Sequence, residues 1–216
     1  MRHMAGANTW FTFRSADVWM GEFRLPPSDP FWERTNQISD VAPLIAFPGT
    51  TVGIGQEGRS EVVADPTRAV LYRAGQPYRR RLASPQGDRG TFVTFSNRVA
   101  AEAAVDFDAA ASDPATYQLP FAIAPLGRTE YGLIHEVRRA VAAGAQPDGI
   151  RESLYWLVGR VVAAGYASSD RRRAPVQRPA TVRAHRDTVE SLRAELGVSF
   201  AAQDTLDDLA ARVHMS

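Results

Sequence analysis

The stretch Ala69 to Ser96, AVLYRAGQPYRRRLASPQGDRGTFVTFS, decides the fold. Its first run, Ala69 to Arg73, is apolar and partly β-branched; Gly75-Gln76-Pro77 then turns the chain, and Tyr78 to Leu82 leaves the turn extended. A second turn at Pro85 to Asp88 leads into Thr91 to Ser96. Short extended runs divided by Gly, Pro and Asp are what strands joined by tight turns require, and they place this segment at the heart of a β-barrel. Side chains alternate between the two faces of a strand, so Tyr78 and Arg80 share one face while Arg79 and Arg81 share the other. One of these pairs faces inward.

Towards the amino terminus, Trp10, Phe11, Phe13, Val18, Trp19 and Phe23 indicate one or two strands between Thr9 and Leu25, ended by Pro26, Pro27 and Pro30. Val41 to Phe47, Thr50 to Ile54 and Glu61 to Ala64 are further strand candidates, separated by Pro48-Gly49 and by a turn over Gly55 to Ser60. Many short strands at this spacing favour a sandwich or small barrel over an α/β fold.

After Ser96 the pattern changes. Asn97 to Pro125 is Ala-rich and irregular, with a short helix near Val99 to Ala104. Gly127 to Gly144 sets Leu133, Ile134, Val137, Ala140 and Val141 at helical spacing, with Gly144 at the stop. Pro147 to Tyr166 repeats the pattern with Ile150, Leu154, Leu157, Val158 and Val161, opening on Pro147 and closing near Gly165. The expectation is a helical hairpin packed beside the barrel. Residues 168–180, polar and broken by two prolines, read as a linker, and six arginines stand against one acidic residue between Asp170 and Arg186. Beyond it, Thr181 to Leu196 reads as a helix with Val182, Val189, Leu192 and Leu196 on one stripe, stopped by Gly197. A second helix is expected from Thr205, capped by Thr205 with Asp208 three residues on.

Composition narrows the chemistry. The 216 residues contain 44% hydrophobic and 23% charged residues, an ordinary globular balance sufficient for one full core and a small appendage. There is no cysteine, which removes disulfides and thiolate ligands, and no lysine, which removes Schiff-base catalysis and a P-loop lysine. A net charge of +1 gives no general attraction to nucleic acid. No apolar run reaches the roughly 20 residues that span a bilayer, and a secretory signal pattern is missing, so no membrane partner and a cytoplasmic location are expected.

No catalytic constellation emerges. His135 lies beside Glu136 on a helix whose stripe can absorb it, and His185 and His214 fall in the appendage. Asp106 with Asp108, and Asp207 with Asp208, read as loop and cap carboxylates. The glycines at 49, 53, 55 and 58 follow no nucleotide-binding spacing, so no cofactor is expected.

Two segments carry a resemblance to a known family. Thr205-Leu206, Leu209-Ala210 and Met215-Ser216 reproduce the spacing T-L-x-x-L-A-x-x-x-x-M-S, and Thr181 to Ser216 resembles the opening of the DNA-binding domain of AraC/XylS-family transcription regulators. The amino-terminal half, from VVADPTRAVLYRAGQPYRRR onward, resembles the cupin-type sensor domain of the same family. The resemblance implies a cupin-like β-barrel followed by a helical hairpin and the first helices of a helix-turn-helix domain. It implies a ligand-sensing and dimerisation domain over residues 7–167, the linker over 168–180, and the start of the DNA-binding domain over 181–216.

Metal-binding cupins carry P-x-G-x-x-H in the hairpin where this chain has Arg73-Ala74-Gly75-Gln76-Pro77-Tyr78. Tyr78 stands where the metal-binding His would lie, and no histidine occurs between His3 and His135, so no His-based metal site is expected in the barrel. Under the resemblance Tyr78 and Arg80 take the inward face, and Tyr78, Arg80, Phe92 and Thr94 become the candidate contacts of a small-molecule effector. Arg80 would meet a carboxylate or hydroxyl-rich ligand, or else a carboxylate of the protein at the barrel mouth, Asp88 or Glu61. The recognition helix would follow Ser216, so DNA is expected as a partner only through a full-length protein of which this chain is the truncated sensor part. Two subunits would pair through the hairpin at 127–166. The competing readings are a free-standing cupin enzyme of isomerase type and a ligand-free structural barrel.

Overall fold

The computed structural model describes residues 8–172 and 179–199. The strands run in the order β1 (Asn8–Arg14), β2 (Val18–Leu25), β3 (Asn36–Gln37), β4 (Leu44–Pro48), β5 (Val52–Gln56), β6 (Val62–Ala64), β7 (Arg68–Tyr72), β8 (Pro77–Leu82) and β9 (Asp88–Phe95). α1 (Asn97–Ala104) precedes β10 (Ile123–Pro125), and α2 (Arg128–Ala142), α3 (Pro147–Arg172) and α4 (Pro179–Ser199) follow. Among the described residues the strands form two antiparallel sheets, ordered β1-β2-β9-β4-β7-β10 and β3-β8-β5-β6. The segment 69–96 stitches them together. β7 and β9 both pair with β4 in the larger sheet, while β8 between them crosses to the smaller one and pairs with β5.

Strand alternation then fixes two cores. From the inner face of the larger sheet Phe23, Leu25, Leu44, Ala46, Val70, Tyr72 and Phe92 meet Val52, Ile54, Val62 and Tyr78 of the smaller sheet. On the outer face Val18, Met20, Ile45, Leu71, Val93 and Phe95 meet the helices through Leu133, Ile134, Val137, Leu154, Leu157, Val158 and Val161. Each such side chain, fully buried, contributes about 1.5–3 kcal/mol of hydrophobic free energy. The larger sheet therefore separates barrel interior from helical hairpin. This is the cupin-like arrangement, mainly β, with helices following an antiparallel barrel.

Several boundaries differ from the sequence reading, each for a packing reason. β10 arises in a stretch read as irregular and β3 in one given no assignment; β10 is held by pairing Ile123, Ala124 and Pro125 with Val70, Ala69 and Arg68. α3 does not end near Gly165 but continues to Arg172, so residues 168–172 of the expected linker are helical. Gly165 is a packing glycine: a Cβ there would overlap the ring of Phe121. Gly197 likewise lies within α4 instead of stopping it, because its missing side chain lets the helix lie against Thr51. The helix expected from Thr205, and the T-L-x-x-L-A motif with it, lie outside the described residues.

α4 docks by polar contacts more than by its apolar stripe. Val189 and Leu196 are half exposed. β6 is the edge of the smaller sheet, and Glu190 accepts from the Val63 backbone N–H at 3.1 Å and from Arg68 Nη1 at 2.7 and 2.8 Å. Arg193 donates to Thr67 Oγ1 at 2.8 Å and to Asp65 Oδ2 at 3.1 Å. A carboxylate on α4 thus satisfies a strand-edge donor that would otherwise be left to water.

Candidate functional site

β8 turns Tyr78 and Arg80 into the barrel, 1% and 5% exposed, and leaves Arg79 and Arg81 outside. A guanidinium in that position needs a counter-charge, and Asp88, itself 1% exposed, forms an ion pair with Arg80 Nη1. Asp88 is the first residue of β9, and Thr50 donates to its Oδ1 at 3.3 Å and to the Gly87 carbonyl at 3.1 Å. Of the two protein carboxylates weighed for Arg80, Asp88 is therefore the partner; Glu61 instead pairs with the exposed Arg81 at 2.6 Å. The Arg80 guanidinium also lies over the rings of Phe23 at 4.8 Å and Tyr78 at 5.6 Å.

Next along the interior sit Tyr78 and Tyr72, their ring centroids 4.9 Å apart. Burial pushes both phenols up from their ordinary range, and the nearby Arg80 charge only partly opposes it. Both hydroxyls remain protonated at neutral pH and can donate. Yet the Tyr72 hydroxyl and the Oδ1 of Asn36, directly across from Tyr78, meet no hydrogen-bonding partner, and the Tyr78 hydroxyl and the Arg80 Nε–H have none of good geometry beyond the close approach of Arg80 to Tyr78 itself. Each orphaned group costs about 1–3 kcal/mol of desolvation. Tyr72, which no sequence pattern singled out, belongs to this cluster only because β7 and β8 face each other across the barrel.

Phe92 and Thr94 also point inward, away from the ion pair. Six residues of extended strand separate Thr94 from Asp88, roughly 20 Å. With Phe11, Trp19, Ile38 and Leu44 they line a cavity of about 50 Å³. Leu44 pairs with both Tyr72 and Thr94, so the cavity opens at the tyrosine end of the interior. The four sequence candidates therefore form one axis through the barrel rather than one cluster: the ion pair lies at one end, and the tyrosines lie level with the apolar mouth at the other. The interior is filled by side chains, and 50 Å³ admits nothing larger than a water or two.

Among the described residues no group of three or more His, Asp or Glu side chains is placed to hold a metal ion. His135 lies on the surface of α2, edge-on to Tyr131 with ring centroids 4.6 Å apart. No helix among the described residues is long and apolar enough to cross a membrane.

No protein-family model matches the chain, and no curated protein matches it either. Among solved structures, the chain is similar to the AraC-like transcriptional activator CuxR, at 11% identity over 97% of this chain and 70% of that one, with a TM-score of 0.48. It is similar to ToxT from Vibrio cholerae O395 at 9% identity over 94% of this chain and 71% of that one, TM-score 0.43. The DMSP lyase DddQ from Ruegeria pomeroyi DSS-3 is matched at 12% identity over 42% of this chain, TM-score 0.36, and the match spans only 47% of the lyase. These likenesses are of fold.

Proposed function

We propose that the chain is the sensor part of an AraC/XylS-like transcription regulator, and that a small molecule rich in oxygen acceptors binds between Tyr72, Tyr78 and Arg80. The observation that carries this reading is the set of donors buried at one place with no well-aligned partner, two phenols and the Arg80 Nε–H, of which only Tyr78 and Arg80 approach each other. Donors that cost free energy when unpaired stabilise a bound acceptor strongly. Because Asp88 already neutralises Arg80, the ligand that fits is a neutral carbonyl or hydroxyl compound rather than an acid. It enters past Phe92 and Thr94, and the 50 Å³ mouth must widen to admit it.

Regulation follows if the ligand favours one arrangement of barrel and α4 over another. β5 carries both sides of that linkage: Ile54 pairs with Arg80 on β8, and Gly53 pairs with Val63, whose N–H is held by Glu190 of α4. A thermal-shift screen of neutral polyols and ketones tests the reading. A ligand at a hundredfold excess over Kd adds about 2.7 kcal/mol, a rise of at least about 5 °C. Tyr78→Phe should weaken that ligand about tenfold and leave the fold intact. Arg80→Ala is a poorer control, since it strips Asp88 of its counter-charge. No stabilisation by any compound would favour the purely structural barrel; a true effector should also change hydrogen exchange at the Val63 amide.

The hairpin at 127–166 pairs two subunits in this reading. Trp156 on α3 supports it, 52% exposed and capped by Arg160 at 5.4 Å, the kind of aromatic anchor that dominates protein interfaces. Sedimentation at high micromolar concentration should show a dimer that Trp156→Ala converts to monomer. A strict monomer in the unmodified chain would end the dimer proposal.

A further inference from the structure

A second site lies outside the barrel. On the outer face of the larger sheet, beside α2, a groove of about 410 Å³ is bounded by Trp10, Glu22, Arg24, Arg89, Tyr131 and Arg138. Arg24 and Arg89 stand directly opposite each other in the β2–β9 pair. Like charges so placed repel, and the arrangement lowers stability unless an anion sits between them. Among the described residues neither forms an ion pair, and the groove's single carboxylate, Glu22, is already held by Arg138 at 2.8 Å. The lining thus carries three guanidinium groups against one carboxylate. Two aromatic side chains flank this charge, Trp10 from β1 and Tyr131 from α2, 45% and 49% exposed. Trp10 is the cross-strand neighbour of Glu22, which places it on the same face as Arg24, two residues further along β2.

We propose that this groove binds a small aromatic carboxylate. The carboxylate bridges Arg24 and Arg89, turning a repulsive cross-strand pair into two charge-assisted hydrogen-bonded contacts, while the aromatic body lies against Trp10 and Tyr131. The site is separate from the barrel interior, because Arg24 and Arg89 lie on the opposite face of the sheet from Phe23 and Phe92.

The probe is 2-naphthoate, titrated into the whole chain at low ionic strength by calorimetry and tryptophan fluorescence. Saturable binding of one molecule per chain is expected with Kd below about 1 mM. Arg24→Gln and Arg89→Gln should each weaken it about tenfold, and uncharged 2-naphthamide should bind at least about tenfold more weakly. Tyr78→Phe should change nothing, which separates this site from the barrel. Each Arg→Gln change should also raise Tm slightly in the absence of probe, since it relieves the repulsion; a merely structural arginine would lower it. Equal affinity for the amide, equal affinity in both Arg→Gln variants, or no saturation up to about 10 mM would overturn the proposal.

Discussion

Asp88→Asn should destabilise the chain by about 3–5 kcal/mol, the largest effect expected of any single polar substitution here. The amide can still accept from Thr50, so the loss is not one of hydrogen bonding to that residue. It comes from the Arg80 guanidinium, 3% exposed at its side chain, left charged in the interior beside Phe23 and Tyr78 without its carboxylate. A buried guanidinium without its counter-charge is what makes the breaking of such a pair strongly destabilising. The double variant Arg80→Met with Asp88→Leu should recover most of the loss, because a buried pair replaced by apolar groups of similar volume is close to neutral. Urea denaturation with unchanged m-value is the measurement. A loss under about 1 kcal/mol for Asp88→Asn would mean that the guanidinium reaches solvent, and the interior site would then have to be redrawn.

Gly87→Ala should cost about 2–4 kcal/mol, by a different mechanism one residue away. Gly87 closes the β8–β9 turn, donating its N–H to the Ser84 carbonyl at 3.0 Å, and it does so at a φ of +80°. An L side chain is strained there by about 1 kcal/mol, and its Cβ would also overlap the carbonyl oxygen of Leu25, which is backbone and cannot swing aside. Gly58 supplies the internal control. Its φ is +73°, but no atom lies within 4 Å of a Cβ built on it, so Gly58→Ala should show the conformational cost alone. The difference between the two variants measures the contact with Leu25. Because Gly87 positions Asp88 at the start of β9, Gly87→Ala should also weaken any ligand of the barrel; equal costs for the two alanines would refute the steric account.

Both effects lie within 69–96, and that segment shows how far sequence reading reached. The strands at 68–72, 77–82 and 88–95 were legible because β-branched and aromatic runs met Gly, Pro and Asp turns, signals that depend on neighbours in the chain. Helices α2 and α3 were legible from apolar spacing for the same reason. The ends of α3 and α4 were not. A glycine reads as a stop when only local conformation is considered, yet Gly165 and Gly197 sit inside helices because Phe121 and Thr51, distant in sequence, occupy the space a side chain would need. β10 was hidden likewise, since its partner β7 lies some fifty residues earlier.

The candidate site divides along the same line. The sequence by itself determined that Tyr78 and Arg80 share a face, that Phe92 and Thr94 share another, and that no histidine was available to them, because side-chain alternation and residue identity are local facts. Only the tertiary structure decided that Asp88 rather than Glu61 neutralises Arg80, that Tyr72 joins Tyr78 while Thr94 lies level with Tyr72 and far from Asp88, and that Arg24 meets Arg89 on the opposite face. Those outcomes depend on strand order and register, which are set by the summed packing of two cores. No short stretch of chain contains that sum.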